Sequence, residues 1–332
     1  MTILVTGSAG HLGESLVRML KDEGRDVRGL DIRPSPFTDL VGSIVDREVC
    51  ATAMKNVTGV LHTAALHKPH VVAHQRQDFV DTNITGTLNL LEAAVEQQTV
   101  GAFIFTSTTS TFGDTFQSAT PDRPAVWIDE TTITKPNMNI YGITKTTAED
   151  LCHLFWKLHK LPCVVLKVSR FFPDEDDTAE ISNFFTSCNA KVNELLFRRA
   201  DIYDVATAHL QALDRAPAIG CDKFIISGNC PFRKTDLVSL QRDAAIVVKN
   251  YFPEYESIYQ RRGWKMFSSI DRVYRNDRAR EKLGWTPVYS FADALERLDR
   301  GDPLGSSLAR LVGRKGYHNE KSTSLVEEQC KR

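Results

Sequence analysis

Met1-Thr2-Ile3-Leu4-Val5-Thr6-Gly7-Ser8-Ala9-Gly10-His11-Leu12-Gly13 opens the chain, and its reading decides the fold. Thr2 to Thr6 is a short apolar, β-branched run without polar alternation, the pattern of a parallel strand covered on both faces. Gly7, Gly10 and Gly13 then recur at every third position, where a tight turn, a close approach to a pyrophosphate and close helix-on-strand packing each exclude a Cβ. Leu12, Leu16, Val17 and Leu20 fall on one face of a following helix, whose N-terminal N–H groups and dipole would point at that phosphate. Dinucleotide binding is one expectation; glycines that serve packing alone are the other.

A second strand, Asp26 to Leu30, leads to Asp31, 18 residues beyond Gly13. A carboxylate there accepts from the adenosine ribose hydroxyls and repels a 2′-phosphate, which favours NAD over NADP. Arg33 pulls the other way, since a guanidinium could pair with that phosphate.

The 332 residues suffice for one large α/β domain with an extension, or for two domains. With 42% apolar and 25% charged residues and a net charge of −1, no broad basic surface points to nucleic acid or to an anionic membrane. Seven scattered cysteines without a C-x-x-C pair argue for a reducing compartment and against structural zinc. The amino terminus enters a strand at once, and no apolar run reaches the length of a membrane span, so a soluble cytoplasmic protein is expected.

Further strands are predicted over Val41–Val45, Thr58–Ala65, Ala102–Ser107, Cys163–Ser169 and Lys223–Ser227. Helices are predicted over Arg47–Lys55, Gln77–Gln98 (interrupted by Asn83 and Gly86), Asp201–Leu213, Thr235–Asn250 and Phe291–Asp299. His62 reads as a core histidine bonded to backbone. His67-Lys68-Pro69-His70 reads as a substrate-facing loop, since two histidines and a lysine do not close a metal site. The hydroxyl cluster Thr108 to Thr111 would sit over the same crevice as the glycine turn, at the carboxyl ends of the strands, or would simply satisfy its own turn.

Tyr141 and Lys145 are four residues apart, hence one turn apart on one face of a helix running to about His159. A tyrosine titrates near 10, so acting as a base near neutral pH requires a fall of about 2 to 3 units, which an adjacent ammonium and a cationic nicotinamide could supply together. Spacing alone does not distinguish this from a surface pair.

In order, these pieces resemble the extended short-chain dehydrogenase/reductase family, which includes nucleotide-sugar epimerases and dehydratases. The likeness spans Thr2 to Asp299: the three glycines, Asp31, His62-Thr63-Ala64-Ala65, Asn83 with Gly86 and Thr87, the fifth-strand hydroxyl, Tyr141 with Lys145, and a closing Leu283-Gly284-Trp285-Thr286-Pro287. The resemblance implies a doubly wound, Rossmann-type parallel sheet. It divides the chain into an NAD-binding part (1–170) and a smaller substrate-binding region interleaved with the last sheet elements (171–305); the tail (306–332), with little apolar content beyond Leu308, Leu311 and Val312, is expected to be partly disordered, fraying past Tyr317.

It also implies roles. Tyr141 would exchange the hydroxyl proton, Lys145 would hold the ribose and lower the tyrosine pKa, and Thr108 would bond the reacting oxygen, with Ser107 and Thr109 as competitors. The cofactor would lie along Gly7, Gly10, His11, Leu12, Gly13, Asp31, Arg33, Ser43, Ile44, Thr63, Ala64, Ala65, Asn83, Tyr141 and Lys145. The substrate would meet His67, Lys68, Thr109, Arg170, Arg198 and Arg199, and no metal is expected. Family dimers pack the tyrosine helix and the long helix before it into a four-helix bundle, so a homodimer is expected.

Some positions depart from the family pattern. Ser43-Ile44 stand where an acidic residue often faces the adenine. The usual asparagine after Arg170-Phe171-Phe172-Pro173 is missing, and only about 28 residues separate Arg170 from Arg198, short of what nucleotide-sugar members use to enclose a base and diphosphate. These departures tilt the expectation to an NAD-dependent dehydrogenase acting on a secondary alcohol of a small sugar-like or sugar-acid-like substrate. A nucleotide-sugar epimerase or dehydratase with tightly held NAD, and a non-catalytic redox sensor, are the alternatives.

Overall fold

The computed structural model describes residues 1–116, 123–136, 139–174 and 179–315. In chain order the elements are β1 (Thr2–Thr6), α1 (His11–Asp22), β2 (Asp26–Asp31), β3 (Leu40–Val41), α2 (Arg47–Met54), β4 (Val57–His62), α3 (Arg76–Val80), α4 (Gly86–Gln97), β5 (Ala102–Thr108), β6 (Val126–Ile128), α5 (Ile140–His159) and β7 (Cys163–Val168). There follow α6 (Ala179–Ser182), α7 (Ser187–Glu194), α8 (Ile202–Ile219), β8 (Cys221–Ile226), α9 (Leu237–Arg242), α10 (Ala244–Tyr251), α11 (Tyr255–Arg262), β9 (Arg272–Tyr274), α12 (Phe291–Arg300) and α13 (Ser307–Val312).

Seven strands form one parallel sheet in the order β3-β2-β1-β4-β5-β7-β8. Strand order reverses between β1 and β4, and the carboxyl ends on either side of that switch open the crevice in which such sheets bind ligands. The runs that lack polar alternation are the ones covered on both faces: Leu4, Val60, Phe103 and Val165 pack on one side, Ile3, Val5, Leu61, Ile104 and Leu166 on the other. A further apolar cluster joins α7 and α9 to α12 with β9, away from the main sheet. Strand β6, inside the loop before Tyr141, pairs with the late strand β9 and ties that loop to the second half of the chain.

Several boundaries differ from the periodicity, each for a local reason. The strand expected over Val41–Val45 is only Leu40–Val41, because Ser43 and Asp46 turn the chain and Asp46 caps α2 by accepting from the Glu48 and Val49 N–H groups. The helix expected over Gln77–Gln98 is broken by a π-helical turn at Asp81–Thr85. Asn83 lies in that turn, its amide bonded to both backbone groups of Leu66 and to Thr144 of α5. The helix expected over Thr235–Asn250 splits at Asp243, whose extended backbone leaves α9 while its carboxylate caps α10 at the Ile246 N–H. Near the end, a π-helical turn at Ala279–Leu283 stops at Gly284 in the left-handed region, and Trp285 is driven into the core with its indole N–H donating to the Asp204 carbonyl at 2.9 Å.

In the tail, Leu308 and Val312 of α13 are buried against α1 and α8. Lys315 pairs with Glu14 of α1. The fraying expected past Tyr317 lies outside the described residues. Among the described residues no helix is long and apolar enough to cross a membrane.

Candidate active site

The crevice at the switch point is a cavity of about 670 Å³. One end is the glycine turn. Gly7 adopts φ +71°, and a Cβ there would lie 2.8 Å from the Ala64 N; a Cβ on Gly13 would lie 1.9 Å from the Gly7 carbonyl oxygen. The turn is therefore pressed onto the end of β4 and onto itself, as a backbone that must approach a pyrophosphate requires. Gly10 occupies the N-cap of α1 without a side-chain cap, so the first N–H groups of that helix face the cavity. Asp31, at the end of β2, accepts from the Ala9 N–H at 3.0 Å and from the Arg33 N–H at 2.9 Å, which fixes its carboxylate beside the turn. A dinucleotide fits this cradle.

Leu12, Arg33, Ser43, Ile44, Thr63, Ala64 and Ala65 also line the cavity. Asn83 does not; its amide acts behind the wall, fixing the Leu66 backbone to α5. His62 is buried just below, bonded to the hydroxyls of Thr6 at 2.8 Å and Thr87 at 3.0 Å, side chains rather than the backbone expected for it. His11 lines the cavity beside Phe171 and Phe172, and burial lowers its pKa to about 4 despite a hydrogen bond with the Gly313 backbone.

At the middle of the cavity, the carboxyl end of β5 meets the first turns of α5. Asn139 starts that helix by accepting from the Gly142 N–H at 2.9 Å, which sets Tyr141 and Lys145 against β5. The Thr108 hydroxyl favours ionisation of the Tyr141 phenol, and the Lys145 ammonium lies 4.0 Å from the centre of the Phe105 ring. Tyr141, Lys145 and Thr108 all line the cavity, with Ser107 and Thr109 beside them.

The electrostatics differ from the simple picture of a lysine that lowers a tyrosine. Burial pushes the Tyr141 phenol up to about 12, and the Thr108 hydroxyl works against it. Burial likewise lowers Lys145 to about 7, opposed by the Glu149 carboxylate and then by Cys152. The phenol thus starts higher than the free value near 10, and a larger fall is needed for it to act as a base.

The far end of the cavity comes from distant parts of the chain. His67, Lys68 and His70 form one side, with the His67 ring stacked on Phe172 at 4.9 Å between centroids. Arg170, Arg198 and Arg199 also line it, and all three pair with the buried carboxylate of Glu194 at 2.7 to 2.8 Å. The guanidiniums are therefore fixed from behind rather than loose at a surface. Arg272 and Tyr274, from β9, complete the wall. Phe171, Phe172, Arg272 and Tyr274 were not among the expected site residues, and His70 was expected only as part of the substrate-facing loop. The Phe171-Phe172 pair directly after Arg170 was the one available signal; nothing local marks a three-residue strand a hundred positions away as part of this site. Among the described residues no group of three or more His, Cys, Asp and Glu could hold a metal ion.

A seven-stranded parallel sheet with a glycine cradle at its switch point, and a Thr–Tyr–Lys group beside it, defines a dinucleotide-binding protein of the Rossmann type. The model of the NAD dependent epimerase/dehydratase family matches residues 3–223, and the chain belongs to that family. It is similar to a short-chain dehydrogenase/reductase superfamily protein from Agrobacterium tumefaciens, solved with bound NAD, at 26% identity and a TM-score of 0.63, covering 90% of this chain and 96% of that one. It is 36% identical over 118 residues to a 3-beta-hydroxysteroid dehydrogenase of Mycolicibacterium neoaurum, a match covering 32% of each chain. An uncharacterized UDP-glucose epimerase of Bacillus subtilis is 31% identical over 193 residues, 52% of this chain and 56% of that protein. The chain thus spans about a third to a little over half the length of these curated relatives.

Proposed function

We propose that this protein is an NAD-dependent oxidoreductase that transfers hydride at a secondary alcohol of a small polar, sugar-like or sugar-acid-like substrate, with Tyr141 as the base. The observation that carries this reading is that Thr108, Tyr141 and Lys145 line one cavity with the glycine cradle, the Thr108 hydroxyl on the side of the phenol where it favours the phenolate. NAD supplies the hydride acceptor. The chain's own residues manage the proton: Thr108 bonds the substrate oxygen, Tyr141 takes the hydroxyl proton as the carbonyl forms, and the Lys145 charge favours the phenolate.

The preference for NAD over NADP is assigned to Asp31, whose carboxylate is fixed at the end of β2. The substrate is assigned to the region after residue 170. The flat Phe172–His67 stack suits the apolar face of a ring, and Arg198 and Arg199, held by Glu194, suit carboxylate or hydroxyl oxygens. Ile143, Leu154 and Leu158 stand exposed along α5, which supports a homodimer through that helix.

A second reading, a nucleotide-sugar epimerase, is favoured by the same arginines, which could take a diphosphate, and by the Bacillus subtilis relative. Incubating purified protein with NAD and a panel of free sugars, sugar acids and nucleotide sugars separates the two. Net NADH appearance with a free sugar or sugar acid supports the dehydrogenase. Conversion of a nucleotide sugar with tightly held NAD and no net NADH overturns it.

A further inference from the structure

Behind the Tyr141–Lys145 group lies a buried ion pair that the proposed chemistry does not use. Lys167 is the next-to-last residue of β7 and is 1% exposed, in a strand whose every residue is buried. Its ammonium donates to both Glu149 oxygens at 2.8 and 2.7 Å and to the Thr111 hydroxyl at 2.6 Å, which uses all three of its protons. Glu149 accepts in addition from the Ser107 hydroxyl. Thr111 in turn donates to the Thr108 carbonyl at 2.7 Å.

A buried ion pair is a poor device for stability alone, because apolar residues of similar volume do as well without the desolvation cost. What apolar residues could not do follows from where this pair stands. Glu149 is one helical turn beyond Lys145 on α5, and it grips Ser107, the residue before Thr108. We propose that Glu149 and Lys167 are a positioning pair for the active site: the Glu149 carboxylate keeps the ammonium charge on Lys145, and Lys167 holds that carboxylate in place while fixing the Thr108 turn through Thr111.

The setting of Lys145 makes such a neighbour decisive. Its ammonium is buried over the Phe105 ring, and the titratable groups facing it are Tyr141, Glu149 and Cys152 on its own helix and His62 on β4, with Lys167 of β7 beyond Glu149. Burial brings Lys145 down to about 7, so its charge near neutral pH is decided by the surrounding carboxylate. Lys145 is 3% exposed and lines the cavity, the route by which a small reagent would reach it.

The proposal rests on Tyr141 and Lys145 being the working pair, but its test needs no substrate. The rate of Lys145 acetylation by trace acetic anhydride, followed by peptide mass spectrometry from pH 6 to pH 9, gives the midpoint at which that lysine loses its proton. Glu149→Gln should lower the midpoint by about one unit or more, as loss of a close opposite charge does. The Glu149→Gln/Lys167→Met double variant removes both buried charges, keeps the volume, and should shift it the same way; it carries the test if the single variant does not fold. Lys167→Arg, which preserves the pair, should leave the midpoint near the wild-type value. An unchanged midpoint in a folded Glu149→Gln or double variant overturns the proposal. A shifted midpoint in a protein that turns over no alcohol would instead keep this inference and sink the dehydrogenase reading.

Discussion

Thr108, the last residue of β5, faces the same cavity as Tyr141 in the first turn of α5 and opposes the burial that raises its phenol, so the strand end and the helix act together at the centre of the cavity. Tyr141→Phe keeps the ring and deletes the oxygen, so NAD binding should be nearly intact while turnover falls by roughly 10² to 10⁴, the usual worth of a positioned acid or base. Thr108→Val should cost about 10²-fold in kcat through the lost donor. Steady-state rates and NAD titration check both. Near-normal turnover in Tyr141→Phe would move the base elsewhere, with His67 the first candidate.

Asp31 is expected to set the cofactor preference. NAD should bind more tightly than NADP, and Asp31→Ala should weaken NAD by about tenfold, the scale of hydrogen bonds to a charged group, while relieving repulsion of the 2′-phosphate. Isothermal titration with both cofactors decides this. Equal or tighter NADP binding to the unaltered protein would pass the selecting role to Arg33.

Acid should destabilise the fold over a defined window. Burial lowers His11 and His209 to about 4 and puts His62 well below its ordinary value. These histidines are neutral when folded and titrate near 6.5 when unfolded, so the unfolded chain binds more protons between the two values. Their contribution is present in full above about 6.5 and is lost as pH falls towards about 4, on the order of 3 kcal/mol each for His11 and His209. Melting temperature measured from pH 7 to pH 4 should fall through that window. His209→Gln, which can still bond the Val205 carbonyl, should flatten the slope; an unaltered slope would remove His209 from the cause.

UDP and GDP alone should bind no better than millimolar, less than about 4 kcal/mol of binding free energy. The stretch from Arg170 to Arg198 is short, and Arg198 and Arg199 are already committed to Glu194. Calorimetry with UDP, UDP-glucose and GDP-mannose in the presence of NAD tests this. Micromolar affinity for any of them would favour the epimerase reading.

The fold and the cofactor end of the site were legible in the residues alone, because local rules govern them. A buried parallel strand must be apolar throughout, a turn pressed onto its own carbonyl must be glycine, and Tyr141 and Lys145 face one cavity because helical geometry puts fourth neighbours on one face. Residues that act across the chain were not legible. That Asn83 braces Leu66 rather than lining the cavity, that Glu194 gathers three arginines, and that Arg272 and Tyr274 close the far wall all depend on contacts between segments far apart in sequence. Protonation belongs with these. The residue types of Tyr141 and Lys145 suggest a lowered phenol, but the packing around them decides the energy of each charge, and burial drives the phenol up and the ammonium down until Thr108 and Glu149 oppose it.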